Sequence, residues 1–247
     1  MENPYESEKL LSEYLLFHYG SPEEILPPSA PAGMREALDF PTRTCSRFSP
    51  GGMRGLDLGC AVGRSTYEMS RTCEHVLGID YSHAFIRAAE TLRTSPVPYR
   101  RHDEAHRSTP LEAQLPDGVH PQKVQFRQGD AMNLPADLGT FDRLHAANLL
   151  CRLPNPEHLL QRLPSLMNPG GELILATPCT WLGEFTPMAH WPKGPTLDWL
   201  RDHLTADFHL VDVSEEPFLI RETSRKFQWT SSQVTLWRRH ETDQPLS

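Results

Sequence analysis

The sequence predicts an α/β fold on a mostly parallel sheet, and three observations carry that expectation. From Met53 onward, short apolar runs alternate with helix-patterned segments, a rhythm that right-handed crossovers turn into a parallel sheet faced by helices. The run Leu56-Asp57-Leu58-Gly59-Cys60-Ala61-Val62-Gly63-Arg64 joins a strand to a helix through small residues. The chain then closes on two β segments, FHLVDVSE and KFQWTSSQVTLWRR.

In chain order, Leu10, Leu11, Tyr14, Leu15, Leu16 and Phe17 recur at helical spacing and stop at Gly20 and Pro22, which predicts an amphipathic N-terminal helix. A proline-rich connector, SPEEILPPSAPAG, and a short helix over 34–38 complete an extension spanning residues 1–49. This extension is expected to act as a lid on a domain spanning 50–247. A strand ending in LDLG, a helix over 64–72, the strand HVLGID and a helix over 82–93 give a βαβα start. Residues 94–122 are polar and rich in proline and charge, so they read as a surface loop insertion. The rhythm resumes with the strands KVQFRQGD and FDRLHAANLL, a helix over 156–166 and the strand GELILATP. A second insertion over 178–195 precedes a helix over 196–204.

Composition bounds the function. The 247 residues suit one main core, and 24 basic against 32 acidic side chains leave a net charge of −8, without the basic footprint that nucleic acid requires. No apolar run reaches the roughly 20 residues of a membrane span. The start, MENPYESEKLL, has three Glu in its first ten residues and lacks the basic-then-apolar order of a targeting signal, so a cytoplasmic location is expected. Five scattered cysteines without a C-x-x-C pair suggest reduced thiols and no zinc site. His102 and His106 have the i, i+4 spacing of helical metal pairs, but with no third ligand in view no metal is expected.

The glycine loop carries the ligand argument. Glycine lacks Cβ and reaches φ > 0, so such a loop can bend beneath a nucleotide-like ligand at a helix N-terminus. Asp80 ends the second strand about 20 residues beyond Gly59, the spacing at which an acid meets ribose hydroxyls. Asp130, in Gln128-Gly129-Asp130-Ala131, closes the third sheet strand, where a carboxylate can accept an adenine amine. Each has a plainer reading, as a turn or as a helix N-terminal acid.

Together, D-x-G-C-A-x-G, G-I-D, G-D-A, F-D-x-x-x-A-A-N and N-P-G-G-E across residues 53–240 resemble class I S-adenosylmethionine-dependent methyltransferases. The resemblance implies a Rossmann-like, seven-stranded sheet of order 3-2-1-4-5-7-6 with the last strand antiparallel. It also implies S-adenosyl-L-methionine as cofactor and S-adenosyl-L-homocysteine as product. The expected cofactor residues are Asp57, Gly59, Cys60, Ala61, Gly63, Asp80, Tyr81, Ser82, Asp130, Ala131, Met132, Asn148 and Leu149. Ala61 stands where the family's middle glycine does, and Cys60 reads as a small filler rather than a nucleophile.

The flanking segments are more particular. NPYESEKLLSEYLLFHYG, LDFPTR, LGCAVGRS, AANLLCRLPNP, TPCTWLGEFTP and PFLIRETSRKFQWTSSQVTLWRR resemble the 4-mercaptohistidine N-methyltransferase family of ovothiol biosynthesis, in a form without the sulfoxide synthase domain. This implies methylation of the imidazole π nitrogen of 5-thiohistidine to give ovothiol A, with a sulfoxide synthase as a pathway partner. A free amino acid presents a carboxylate, an ammonium and a ring, which call for a cation, an acid and flat apolar walls. Asn148, Tyr14 and Glu184 are the candidates for catalysis. His18, Tyr19, Asn148, Arg152, Trp181, Phe185, Arg221, Lys226, Phe227 and Trp229 are the candidates for the acceptor.

Three alternatives stand beside this reading. The acceptor could be another small thiol, imidazole or amine. The chain could be a silent cofactor-binding partner of a synthase, its N-terminal helix forming the interface. A nicotinamide-dependent dehydrogenase shares the glycine loop and Asp80, but not the Asp130, AAN and PGG set.

Overall fold

The computed structural model describes residues 4–241. Four helices open the chain: α1 (Glu8–Tyr19), α2 (Pro22–Ile25), α3 (Ala32–Arg35) and α4 (Phe40–Cys45). Ser7 caps α1 by accepting from Leu10 N at 3.3 Å, filling one of the orphan donors of a helix start. The body follows as β1 (Gly52–Leu58), α5 (Arg64–Met69), β2 (Cys73–Asp80), α6 (His83–Leu92), β3 (Val97–Glu104), β4 (Arg107–Ala113), β5 (Val124–Gln128) and β6 (Phe141–Ala147). It ends with α7 (Pro156–Leu166), β7 (Met167–Thr177), α8 (Thr196–Leu204), β8 (Phe208–Arg221) and β9 (Phe227–Arg239).

Seven strands form one sheet in the order β5-β2-β1-β6-β7-β9-β8. Without the separate β3–β4 pair this is 3-2-1-4-5-7-6, and the last strand runs antiparallel to both of its neighbours, as the sequence predicts. The central strands are apolar on both faces; Leu173, Ile174, Leu175 and Ala176 of β7 are all fully buried. That pattern belongs to a parallel sheet covered on both sides. One apolar cluster contains Tyr67, Phe85, Ile174 and Val234 and continues into α1 and α4, while the other contains Leu144, Leu163, Leu200 and Trp237 beneath α7 and α8.

Two departures from the sequence reading bear on the site. The first insertion is a folded antiparallel hairpin, β3–β4, and not an open loop. Val97 and Tyr99 point inward while Pro98 and Arg100 face out, a period of two that the density of charge and proline hides. His102 therefore lies on a strand and His106 on the turn after it, so their spacing puts them on no common helix face. The N-terminal extension, moreover, is part of the core: Leu15 and Leu16 of α1 join the cluster that contains Phe85 and Tyr67.

A buried carboxylate ties the strands to the helices around them. Asp57 accepts from Ser65 Oγ at 2.8 Å and Thr66 Oγ1 at 2.7 Å on α5. Its other oxygen meets His145 Nδ1 of β6 at 2.9 Å, and His145 Nε2 meets Thr44 Oγ1 of α4 at 3.0 Å. Burial alone would raise the Asp57 pKa, but the hydrogen bonds from His145, Thr66 and Ser65 hold it below its ordinary value. Its contribution to stability is therefore present above the unfolded pKa near ~4 and is lost as pH falls through the lower folded value. Asp57→Ala would leave Ser65, Thr66 and His145 buried without their acceptor, so a loss of about 3 kcal/mol or more is expected in urea melts near neutral pH. A midpoint equal to wild type would show that the network is dispensable.

Candidate active site

The C-terminal ends of β1, β2, β5, β6 and β7 converge, the edge at which open α/β sheets bind ligands. The turn after β1 passes through the left-handed region at Gly59 (φ +70°), Ala61 (φ +47°) and Gly63 (φ +87°). A Cβ on Gly63 would stand 2.6 Å from the Phe126 ring, so that position requires glycine. Ala61 tolerates the same region at a cost of about 1–2 kcal/mol, held by its N–H, which donates to Asp80 Oδ2 at 2.8 Å. Gly59 N and Cys60 N both donate to Ile79 O, at 2.8 and 3.1 Å, lashing the loop to the end of β2.

Asp80 anchors the next turn as well, Oδ1 accepting from Ser82 N at 2.8 Å. Each carboxylate oxygen has two lone-pair directions, so acceptor capacity remains for a diol hydroxyl. Burial pushes the Asp80 carboxyl up to about 6, against the lowering by the backbone N–H groups of Ser82, Ala61 and Tyr81. Asp130, just beyond β5, is exposed and uses Oδ1 to accept from Met132 N at 2.8 Å. The loop that a side chain would fill, the paired acceptors of Asp80 and the exposed acid at the third strand fit an adenosine-bearing cofactor.

Beyond β6, Asn148 adopts φ +55°. Its N–H donates to Ala176 O at 2.8 Å, and its Oδ1 accepts from Ser232 Oγ at 2.7 Å. Leu149 lies against the loop, its Cδ1 only 3.1 Å from where a Gly59 Cβ would stand. Arg152 stacks on Phe185 with its guanidinium carbon 4.6 Å from the ring centre, and its buried Nη1 has no partner. Tyr5 lies within hydrogen-bonding reach of Arg152 and of Tyr14, with Asp80 close by. The Tyr14 ring packs 4.9 Å from Phe85 and 5.9 Å from His18. Burial drives the Tyr14 phenol far above its usual range, which favours its neutral form. Burial, reinforced by Arg64, lowers His18 to about 3, leaving a neutral imidazole whose Nδ1 is unpartnered.

Other expected site residues have different work. Asp57, expected at the cofactor, has both oxygens engaged in the internal network described above. Cys60 is buried, and burial pushes its thiol well up. Tyr19 spends its hydroxyl on Val62 O at 2.8 Å, supporting the loop from behind. Arg221 is buried against α2, donating to Glu24 O and Ile25 O at 3.1 and 2.9 Å and pairing with Asp103 at 3.0 Å. That set corrects the expectation of a substrate contact, because a guanidinium so engaged is a strut between the hairpin and the extension. Lys226 is exposed and pairs with Glu222 at 2.7 Å. Phe227 lies beside Arg221, 6.0 Å from its guanidinium carbon. Trp181 packs edge-on against Trp199 at 5.7 Å and donates to Thr196 Oγ1. Glu184, Trp229 and Tyr81 are exposed; a catalytic acid needs a desolvated, oriented setting, which Glu184 lacks.

Sequence reasoning missed Tyr5, Glu6 and Ser232. Glu6 caps α6 from outside, accepting from His83 N at 2.7 Å and Ala84 N at 3.2 Å, and Tyr5 O accepts from Ser82 Oγ at 3.0 Å. The only signal was an aromatic and an acid just before a helix cap.

The family described as a methyltransferase domain matches residues 33–193. The chain belongs to the methyltransferase domain family. Among curated methyltransferases it is 29% identical over 133 residues to the ubiquinone biosynthesis O-methyltransferase of Xanthomonas axonopodis pv. citri, covering 53% of this chain and 46% of that one. Methyltransferase GfsG of Streptomyces halstedii is 28% identical over 126 residues, 51% of this chain and 37% of that one. The matched region thus spans about half the length of these relatives or less. The N-methyltransferase NodS of Bradyrhizobium japonicum, solved with S-adenosyl-L-homocysteine, superposes with a TM-score of 0.55 at 15% identity, over 94% of this chain and 99% of that one. A structure solved for the conversion of a disulfide bond into a thioacetal group in echinomycin biosynthesis gives a TM-score of 0.57 at 15% identity, over 92% and 91%. These two establish the fold. The family is one of methyltransferase domains, and the NodS structure that shares this fold holds S-adenosyl-L-homocysteine. Among the described residues no helix is long and apolar enough to cross a membrane.

A diol is held best by the ionised carboxylate, so S-adenosylhomocysteine affinity should weaken as pH falls through about 6. Titration calorimetry about one unit below that value should show roughly a tenfold loss, and Asp80→Asn should bind weakly with no such dependence. A wild-type affinity that stays flat through this range would remove Asp80 from the diol.

Proposed function

We propose that this methyltransferase methylates the imidazole π nitrogen of 5-thiohistidine, giving ovothiol A. The observation that carries the reading is that Arg152 lies on Phe185 with an unpartnered Nη1, close to Tyr5 and Tyr14. This wall supplies a cation and a flat apolar face, as a free aromatic amino acid requires. The resemblance of the flanking segments names the ring. NPYESEKLLSEYLLFHYG contributes Tyr5, Tyr14 and His18, AANLLCRLPNP contributes Asn148 and Arg152, and TPCTWLGEFTP contributes Phe185.

S-adenosylmethionine, when bound, would supply an electrophilic methyl on its sulfonium. Asp80 and the loop at Gly59–Gly63 would hold it at the sheet edge. Arg152 anchors the acceptor carboxylate, and Phe185 and Tyr14 flank the ring so that one nitrogen lone pair lies in line with the methyl. Asn148 sits between the loop and the acceptor wall and fixes the ring's orientation. Tyr5 and α1 exclude water from above. Tyr14 keeps its phenolic proton and His18, lowered to about 3, is a weak base, so neither serves as the general base and the acceptor is best taken with its nitrogen already unprotonated. A thiol-substituted imidazole meets that condition near neutral pH.

The purified protein with S-adenosylmethionine and 5-thiohistidine should give a product heavier by one methyl in mass spectrometry, with histidine and ergothioneine turned over far more slowly. Arg152→Ala should raise KM for 5-thiohistidine by about tenfold or more, the scale of a lost charge-assisted hydrogen bond, with little change in S-adenosylhomocysteine affinity. Equal turnover of the three acceptors, or an unchanged KM, would contradict the assignment.

A further inference from the structure

Asn148 and Ser232 meet across the end of β7. In the antiparallel pairing of β9 with β7, Gln233 lies opposite Thr177, which sets Ser232 at that edge, facing the turn after β6. Ser232 is fully buried, and its hydroxyl donates to Asn148 Oδ1 at 2.7 Å. A carboxamide has an accepting end and a donating end, and rotation about its last torsion exchanges them. With Oδ1 taken by a hydroxyl, the NH2 group is turned the other way. Nδ2 is not one of the buried unpartnered atoms of the described residues, and Asn148 itself is only partly buried. The backbone leaves little slack, because Asn148 is left-handed at φ +55° and its N–H is committed to Ala176 O.

We infer that Ser232 is a positioning residue that locks the Asn148 carboxamide with its NH2 group toward the acceptor. The site thereby selects a ring that presents a thiolate or an unprotonated nitrogen to that group and disfavours one that presents an N–H. The inference rests on the proposed reading in which Asn148 faces the acceptor. A donor aimed at a thiolate also stabilises the ionised acceptor, so Ser232 acts on the pH dependence of turnover as well as on its rate. The Ser232 hydroxyl is spent on Asn148 and Asp80 on the turns after β1 and β2, so cofactor affinity should be independent of Ser232.

Three variants test this: Ser232→Ala, Ser232→Thr and Asn148→Ala. Ser232→Ala should keep S-adenosylhomocysteine affinity within about twofold while kcat/KM for 5-thiohistidine falls about tenfold. The acidic limb of its pH profile should move to higher pH and its preference over histidine should shrink, whereas Ser232→Thr, which keeps the hydroxyl, should restore all three. Unchanged kcat/KM and pH profile in Ser232→Ala, with Asn148→Ala inactive, would overturn the role of Ser232 alone. Full activity in Asn148→Ala would overturn the reading beneath it. A readout free of turnover accompanies these: in isotope-labelled protein, the Asn148 side-chain amide resonances should shift on Ser232→Ala, and an unaltered pair of signals would refute the lock.

Discussion

The Asp57 carboxylate is the fixed point from which the rest of the site is built. Its three hydrogen bonds reach α5, which begins at the glycine loop, and β6, which ends at Asn148; through His145 it also reaches α4. A charge so deeply buried is tolerated only when its lone pairs are met, and here each partner lies on an element carrying part of the site. The cofactor loop and the Asn148 turn are thus referenced to one buried group, and a change in either strand is felt by the other.

Asp57 and Asp80 show how burial divides two like residues between structure and binding. Both are desolvated. Asp57 accepts side-chain donors from three residues and is held below its ordinary pKa. Asp80 accepts from backbone N–H groups and from no side chain, and is pushed up to about 6. The first has no acceptor capacity left over that a ligand could reach. The second is under-satisfied, and hydroxyl donors from a ligand would complete its shell. The difference in direction separates the strut from the binding group more sharply than their positions in the sequence do.

The sheet was legible because its signals are local and periodic: LDLG, HVLGID and GELILATP are strand runs bounded by turns, and the order of the seven strands agrees with the motif set. The β3–β4 hairpin was illegible because Pro98 and Pro110 and three arginines mask an alternation visible only at Val97, Tyr99 and Ala113. The glycine loop, Asp80, Asn148 and Arg152 could be named from spacing and chain position, and the fold brings them to the C-terminal edge of the sheet. Arg221 was misread because a guanidinium bonded to two carbonyls and an aspartate looks, in one dimension, the same as one awaiting a carboxylate. Ser232 and Tyr5 were missed for the converse reason. Their partners lie 84 residues away for Ser232 and at the end of the second sheet strand for Tyr5, and nothing in their neighbours marks either.

The N-terminal segment gives the site its closure. Tyr5 O meets Ser82 at the end of β2, Glu6 caps α6, Tyr19 supports Val62 of the loop, and Arg64 returns a bond of 2.7 Å to His18 O. The same short stretch carries Tyr14 and His18, the residues assigned to the acceptor in the proposed reading. In-line transfer needs donor and acceptor held within a fraction of an ångström, and two ligands resting on separate elements would each bring their own positional error. Here the loop beneath one and the wall around the other bear on a single helix, α1, which is itself buried through Leu15 and Leu16. The relative placement of the two ligands is therefore set by one rigid body and not by two.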